Sequence, residues 1–189
     1  MMLKLRWLTI VTVLALLSLA CSMDLGGPEK PAEVIPVSTE AVESLKNSWK
    51  DAFAQAAQNN GQITLAFSEE QVTSLVAFKL QEQPDPVFSN PQIYLRDGKI
   101  QAYGTVTTER FTGTVRVVMM AEVTEDGKPL VKIESADFGP LPVPTEMLQG
   151  ISATLDEMLT GQFGTTATGF RLTSIAIADG LMVVIGAVR

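Results

Sequence analysis

Phe138-Gly139-Pro140-Leu141-Pro142-Val143-Pro144 leads into the run Thr145-Glu146-Met147-Leu148-Gln149-Gly150-Ile151-Ser152-Ala153-Thr154-Leu155-Asp156-Glu157-Met158-Leu159. Three prolines in five residues lack the N–H that a helix or a strand ladder needs, so they mark a connection. In the run that follows, Met147, Leu148, Ile151, Leu155, Met158 and Leu159 return every three or four residues, with Glu146, Gln149, Asp156 and Glu157 opposite. That spacing predicts an amphipathic helix over 145–159. Glu146 suits the positive end of the helix dipole, and Gly161 is a natural stop. The plain reading is a core helix packed on a sheet. Strand-like sequence on both sides makes it the expected rod around which that sheet curls.

Outward from this rod, three Asp-Gly pairs punctuate alternating apolar runs: Asp97-Gly98, Asp126-Gly127 and Asp179-Gly180. Asp-Gly between such runs signals a tight hairpin, because the turn needs positive φ. The runs 93–96 and 100–106, 111–123 and 130–136, and 170–178 and 181–188 are therefore predicted antiparallel partners. The strand over 100–106 has one polar face, whereas 181–188 is apolar on both and should be covered twice. Gly104, Gly113 and Gly186 inside strands mark bends, bulges or close approach, and suggest a curved sheet. Upstream, 38–58 has helical periodicity ending at Asn59-Asn60-Gly61, and 62–67 alternates as a strand. Ser68-Glu69-Glu70-Gln71 has the form of a capping box. The helix after it carries Val72, Leu75, Val76 and Leu80 on one face, and Pro84 and Pro86 end it. The expected fold class is α+β: a curved, mainly antiparallel sheet of about six strands wrapped around a long amphipathic helix, with one or two further N-terminal helices.

The first twenty residues are different in kind. Lys4 and Arg6 precede an apolar stretch, Trp7 to Leu19, too short for the roughly 18–20 residues of a membrane-spanning helix. This is the plan of a secretory leader. Leu17-Ser18-Leu19-Ala20-Cys21 ends in the only cysteine and resembles the bacterial lipobox, in which the cysteine takes a diacylglyceride and becomes the new N-terminus. The expected organisation is a lipoprotein signal peptide over 1–20, a flexible Gly/Pro-bearing tether over 21–37, and one domain over 38–189. Lipidation at Cys21, with acyl chains of the palmitate kind, would hold the domain on the extracytoplasmic face of the cell membrane. Two chains anchor firmly where one binds marginally.

Composition excludes more than it suggests. Without the leader, 12 basic side chains face 21 acidic ones, a formal charge of −9. No basic stripe offsets it, which argues against nucleic acid as a partner. There is no histidine, hence no Ser-His or Cys-His pair and no imidazole metal ligand. The carboxylates Glu122, Glu134, Asp137, Asp156 and Glu157 read as solvated-face charges without an identifiable nucleophile–base pair. The Asp-Gly pairs read as turns, since their spacing matches no EF-hand loop. A non-enzymatic protein without metal or cofactor is expected.

The order of elements resembles a family. An N-terminal anchor, a strand entering a capped helix (Ile63-Thr64-Leu65-Ala66-Phe67-Ser68-Glu69-Glu70-Gln71-Val72), Asp-Gly hairpins, the Phe138–Pro144 segment with its helix, and a last hairpin are similar to the small bacterial membrane-anchored YpmS-like and YceB-like proteins of the tubular lipid-binding (TULIP) superfamily. Many relatives carry Asn in the first turns of the capped helix, where this chain has Thr73. The resemblance implies a bent sheet around a helix and a groove for acyl chains, which Met119, Met147, Ile151, Leu155, Met158 and Phe170 would line. Methionine is soft enough to repack around varied ligands, and equally serves to fill gaps in a core. Two functions follow as expectations: binding of a lipid or another apolar ligand in a helix–sheet groove, or a structural or adaptor lipoprotein that binds another envelope protein.

Overall fold

Ser68 caps its helix as its sequence predicts. Its hydroxyl accepts from Gln71 N at 3.2 Å, and Gln71 Oε1 accepts from Ser68 N at 3.0 Å. The computed structural model describes residues 27–56, 58–84, 86, 88–107, 112–139 and 170–188. In chain order the elements are α1 (Thr39–Ala56), β1 (Gln62–Ser68), α2 (Glu69–Gln81), β2 (Phe88–Arg96), β3 (Lys99–Thr107), β4 (Thr112–Val123), β5 (Pro129–Asp137), β6 (Phe170–Ala178) and β7 (Leu181–Val188). The expected rod over 145–159 lies outside the described residues, as do the leader and Cys21.

The chain is α+β, with its strands in two antiparallel sheets, β1-β7-β6 and β2-β3-β4-β5. A single curved sheet of about six strands was the sequence expectation, and the seven strands among the described residues divide instead. The division follows from β1, which pairs with β7 in the register Ile63↔Gly186 to Phe67↔Met182. Hairpin signals report only pairings between neighbours in sequence, so this long-range partnership leaves no local mark. At Asp97-Gly98 both residues have positive φ (54° and 72°), the mark of the tight primed turn; at the other two pairs only the glycine does. The three strand glycines share one cause. A side chain at Gly104 would overlap the ring of Phe88, one at Gly113 would press on Phe138, and one at Gly186 would overlap Phe170. Each lets an aromatic ring close on its strand, and a side chain at Gly186 would also meet Arg171 O. Gly186 also opposes Leu172, where the β6–β7 register slips before Ser174; the other irregularities fall at Ser89/Gln92 and Val118/Met119.

Helix α2 is wedged between the sheets. Val76 and Leu80 belong to a core with Ile93, Leu95, Val106, Val115 and Val117, while Leu75 packs into a second core with Leu45, Ile63, Leu65 and Leu172. Val72 touches both. The expected single apolar face is therefore two, because each side of the helix has its own sheet to cover. Between them Thr73 and Ser74 are fully buried.

The register explains why polar residues are tolerated there. In the β2–β3 hairpin, Arg96 opposes Lys99 across the turn, so Tyr94 and Gln92 exchange ladder bonds with β3. Ile93 and Leu95 then point their N–H and C=O groups at the open edge of β2. Thr73 Oγ1 accepts from Ile93 N at 3.0 Å and donates to Ile93 O at 3.4 Å. Glu69 Oε1 accepts from Leu95 N at 2.7 Å, and Gly180 N donates to Leu95 O at 2.9 Å. Glu69 also pairs with the Arg96 guanidinium, the Nη2–Oε2 contact being 3.2 Å. Thr73→Val preserves shape and strips the hydroxyl, leaving the Ile93 groups unpaired in a dry site. It is expected to lower stability in urea denaturation by about 1–3 kcal/mol, with Thr73→Ser losing less.

Candidate functional site

The residues expected to line an apolar groove do not all come together. Met119 is 1% exposed and sits in the core of the four-stranded sheet, opposite Ile133 on β5. Phe170 is 3% exposed and sits in the other core. Met147, Ile151, Leu155 and Met158 lie outside the described residues. The two cores meet at Val72 and Met182, each of which packs against both. This seam, bounded by α2 and β7, is the continuous apolar region of the described molecule. Its buried polar side chains, Thr73 and Ser74, are engaged with Ile93 and with Ser38 N, so the seam offers hydrocarbon, aromatic and thioether surface.

Two phenylalanines flank residues 140–169. Phe138, 1% exposed, is rooted in the first core, and Phe170 in the second. Phe170 makes edge contacts with Trp49 and Phe53 of α1, at centroid distances of 6.2 and 5.7 Å. Trp49 also stacks on Phe53 at 5.5 Å and lies 6.3 Å from Phe67. This four-ring cluster seats α1 on β1 and β6. Sequence periodicity shows Trp49 and Phe53 on one helix face, but which strand they meet depends on the β1–β7 pairing. The start of α1 is fastened too: Ser38 caps Ala41 N, donates its N–H to Ser74 Oγ at 3.1 Å, and donates its hydroxyl to Glu70. The placement of this helix, docked on α2 and β1, is a structural finding.

Of the weighed carboxylates, Glu122 pairs with Lys132 at 2.6 Å and Glu134 with Lys99 at 2.7 Å, both on the exposed face of the sheet. Asp137 accepts from Gly139 N at 2.8 Å. Asp156 and Glu157 lie outside the described residues. Among the described residues no cluster of three or more acidic, Cys or His side chains converges on a point that could hold a metal ion.

The outward face of the four-stranded sheet carries a feature the sequence did not announce. Residues 27–35, within the expected flexible tether 21–37, lie across it. Gln92 Oε1 accepts from Ile35 N at 2.7 Å and its Nε2 donates to Ile35 O at 3.0 Å, so one side-chain amide imitates a strand partner. Tyr94 donates its hydroxyl to Glu33 O at 2.5 Å. Ile35 is buried against Tyr94 and Tyr103, whose rings meet edge to face at 5.6 Å. From Glu33 to Ile35 the chain is docked. Gly26-Gly27 and the prolines had pointed to a free linker; the paired carboxamide and the tyrosines decide otherwise.

No known protein family, curated protein or solved structure matches this chain.

Burial pushes the Tyr94 phenol above its ordinary value of 10.0, and the Glu69 and Glu33 carboxylates push the same way, with Arg96 partly opposing. A raised native value means that this contribution to stability is full below pH 10 and lost as pH rises through the native value. Tyr94→Phe is expected to remove that alkaline loss, read as a flatter melting temperature against pH above 10. Phe170→Ala removes the ring that meets both Trp49 and Phe53 and is expected to cost about 3–5 kcal/mol in urea denaturation.

Proposed function

We propose that this protein is a lipoprotein held on the extracytoplasmic face of the cell membrane through acylated Cys21, and that it binds a lipid or another long apolar molecule where helix 145–159 meets the sheets. The observation that carries the ligand reading is the pair Phe138 and Phe170, buried in separate cores at the two ends of the intervening run. An amphipathic stripe of Met147, Ile151, Leu155 and Met158 strung between two apolar cores has hydrocarbon at both ends of its path. Met182 at the seam and Met119 in the adjoining core add surface that repacks readily. The architecture proposed is that of the tubular lipid-binding proteins, with the rod and a concave sheet forming the groove. The reading assigns no catalytic step, metal or cofactor.

A second reading, an adaptor that binds another envelope protein, is favoured by one feature. Pairing puts Leu181, Val183, Ile185 and Ala187 of β7 on the outward face of the three-stranded sheet, beside Thr64 and Ala66 of β1 and Ser174 and Ala176 of β6. Leu181 is 45% exposed, and the face is apolar or uncharged apart from Arg171, which opposes Ala187 at its edge. Such a face suits a protein partner.

One preparation separates the readings. Full-length protein extracted from membranes in mild detergent is expected to release about one noncovalent acyl lipid per chain on denaturing extraction, measured by mass spectrometry. Ile151→Asp is expected to abolish that release without changing the circular dichroism spectrum. Acylated protein that releases no lipid and co-purifies with one partner would favour the adaptor. Cys21→Ser is expected to move the protein out of the membrane fraction and remove the acyl mass, and an unmodified Cys21 in the wild type would overturn the anchor.

A further inference from the structure

We infer that residues 27–35 form a strap that orients the domain on the bilayer, turning the end of the four-stranded sheet where Thr105 and Thr107 pair with Thr114 and Thr112 toward the lipid headgroups. The inference rests on the proposed anchor at Cys21 and adds a direction to it.

The path of the strap supplies that direction. Its far end is fixed on β2 by Gln92 and Tyr94. Its near end, Gly27, lies so close to β4 that a side chain there would come within 2.5 Å of Thr114 O. Thr114 opposes Thr105, and Thr112 opposes Thr107, in the last rungs of the β3–β4 ladder. The chain therefore leaves the sheet at its threonine end. From Gly27 back to Cys21 there are six peptide steps, which reach about 21 Å when fully extended. The β4 strand alone, at about 3.3 Å per residue, is about 40 Å long. An anchor on so short a lead cannot bring both ends of the sheet to the membrane.

Thr105, Thr107, Thr112 and Thr114 suit that position, since hydroxyls can exchange hydrogen bonds with headgroup phosphates and water.

The test uses full-length protein reconstituted into phosphatidylcholine vesicles with an acceptor dye on the headgroup. A donor dye is attached through an azide-bearing amino acid placed at position 107 or at position 126, both exposed. Energy transfer from position 107 is expected to be at least two-fold more efficient than from position 126. Gln92→Ala with Tyr94→Phe frees the far end of the strap, and Gly27→Val displaces its near end without touching either core. Both variants are expected to float with the vesicles and to show transfer that is nearly equal from the two positions. Equal or reversed transfer in floating wild-type protein would overturn the orientation, and an unchanged preference in both variants would overturn the role of the strap. Wild-type protein that fails to float would overturn the anchor itself and the inference with it, an outcome that flotation alone reveals.

Discussion

The fold depends on how the open edge of β2 is closed. An edge strand presents unpaired backbone groups at every second residue, a spacing of about 6.7 Å, and a helix returns to the same face every turn, about 5.4 Å. Glu69 and Thr73 are four apart on α2, Ile93 and Leu95 two apart on β2, and the near-match lets side chains replace a missing strand. The exchange places Thr73 in the helix interior and Glu69 in its first turn, and it removes a surface for edge-to-edge association. It also settles geometry. Once Glu69 and Thr73 engage β2, the flanks of α2 face opposite ways, and each needs a sheet. Gly180 donating to Leu95 O brings the β6–β7 turn to the same point, so that one strand edge joins both sheets and the helix between them.

A second join reinforces the first. Leu172 N donates to Gly127 O at 2.9 Å, and Arg171 Nη2 to Glu125 O at 2.6 Å, tying the start of β6 to the β4–β5 turn. Gly127 cannot carry a side chain there, since the Arg171 side chain occupies the space. The sheets are thus pinned at two corners and filled by separate cores that touch at Val72 and Met182. That arrangement leaves the segment between Phe138 and Phe170 as the connection from one core to the other. The proposed ligand contact is assigned to this segment for that reason. The N-terminal chain adds a layer on the other side: a strap over the tyrosines, a turn around the closed β2 edge, and α1 fastened to Ser74 and the ring cluster.

Much of the local structure was legible in the chain. The capping box at Ser68, the Asn-Gly stop after α1, and the three Asp-Gly turns act over four residues or fewer, and each appears as expected. The strand glycines were read as bends, bulges or close approaches, and the structure makes them close approaches to rings that the sequence did not identify. The candidate site was less legible. Met119 and Phe170 were grouped as groove-lining residues because the family resemblance implies a single groove, yet they belong to opposite cores. The tether was read from Gly and Pro content, which reports the freedom of an isolated chain and not the carboxamide of Gln92 waiting for it.

The division has a physical reason. Sequence by itself determined the elements, the acidic charge and the absence of histidine, because caps, turns, periodicity and composition are properties of short segments. Only the tertiary structure decided that β1 joins β7, that the strands form two sheets, that α2 has two buried flanks, and that residues 33–35 lie on β2. Those choices balance contacts between residues far apart in the chain, such as Phe67 with Trp49, Ile63 with Gly186, and Thr73 with Ile93. Thr73 shows the difference most clearly. In the sequence it is an ordinary residue of a capped helix; in the fold its hydroxyl satisfies both backbone groups of a strand edge, because burial leaves them no water to turn to.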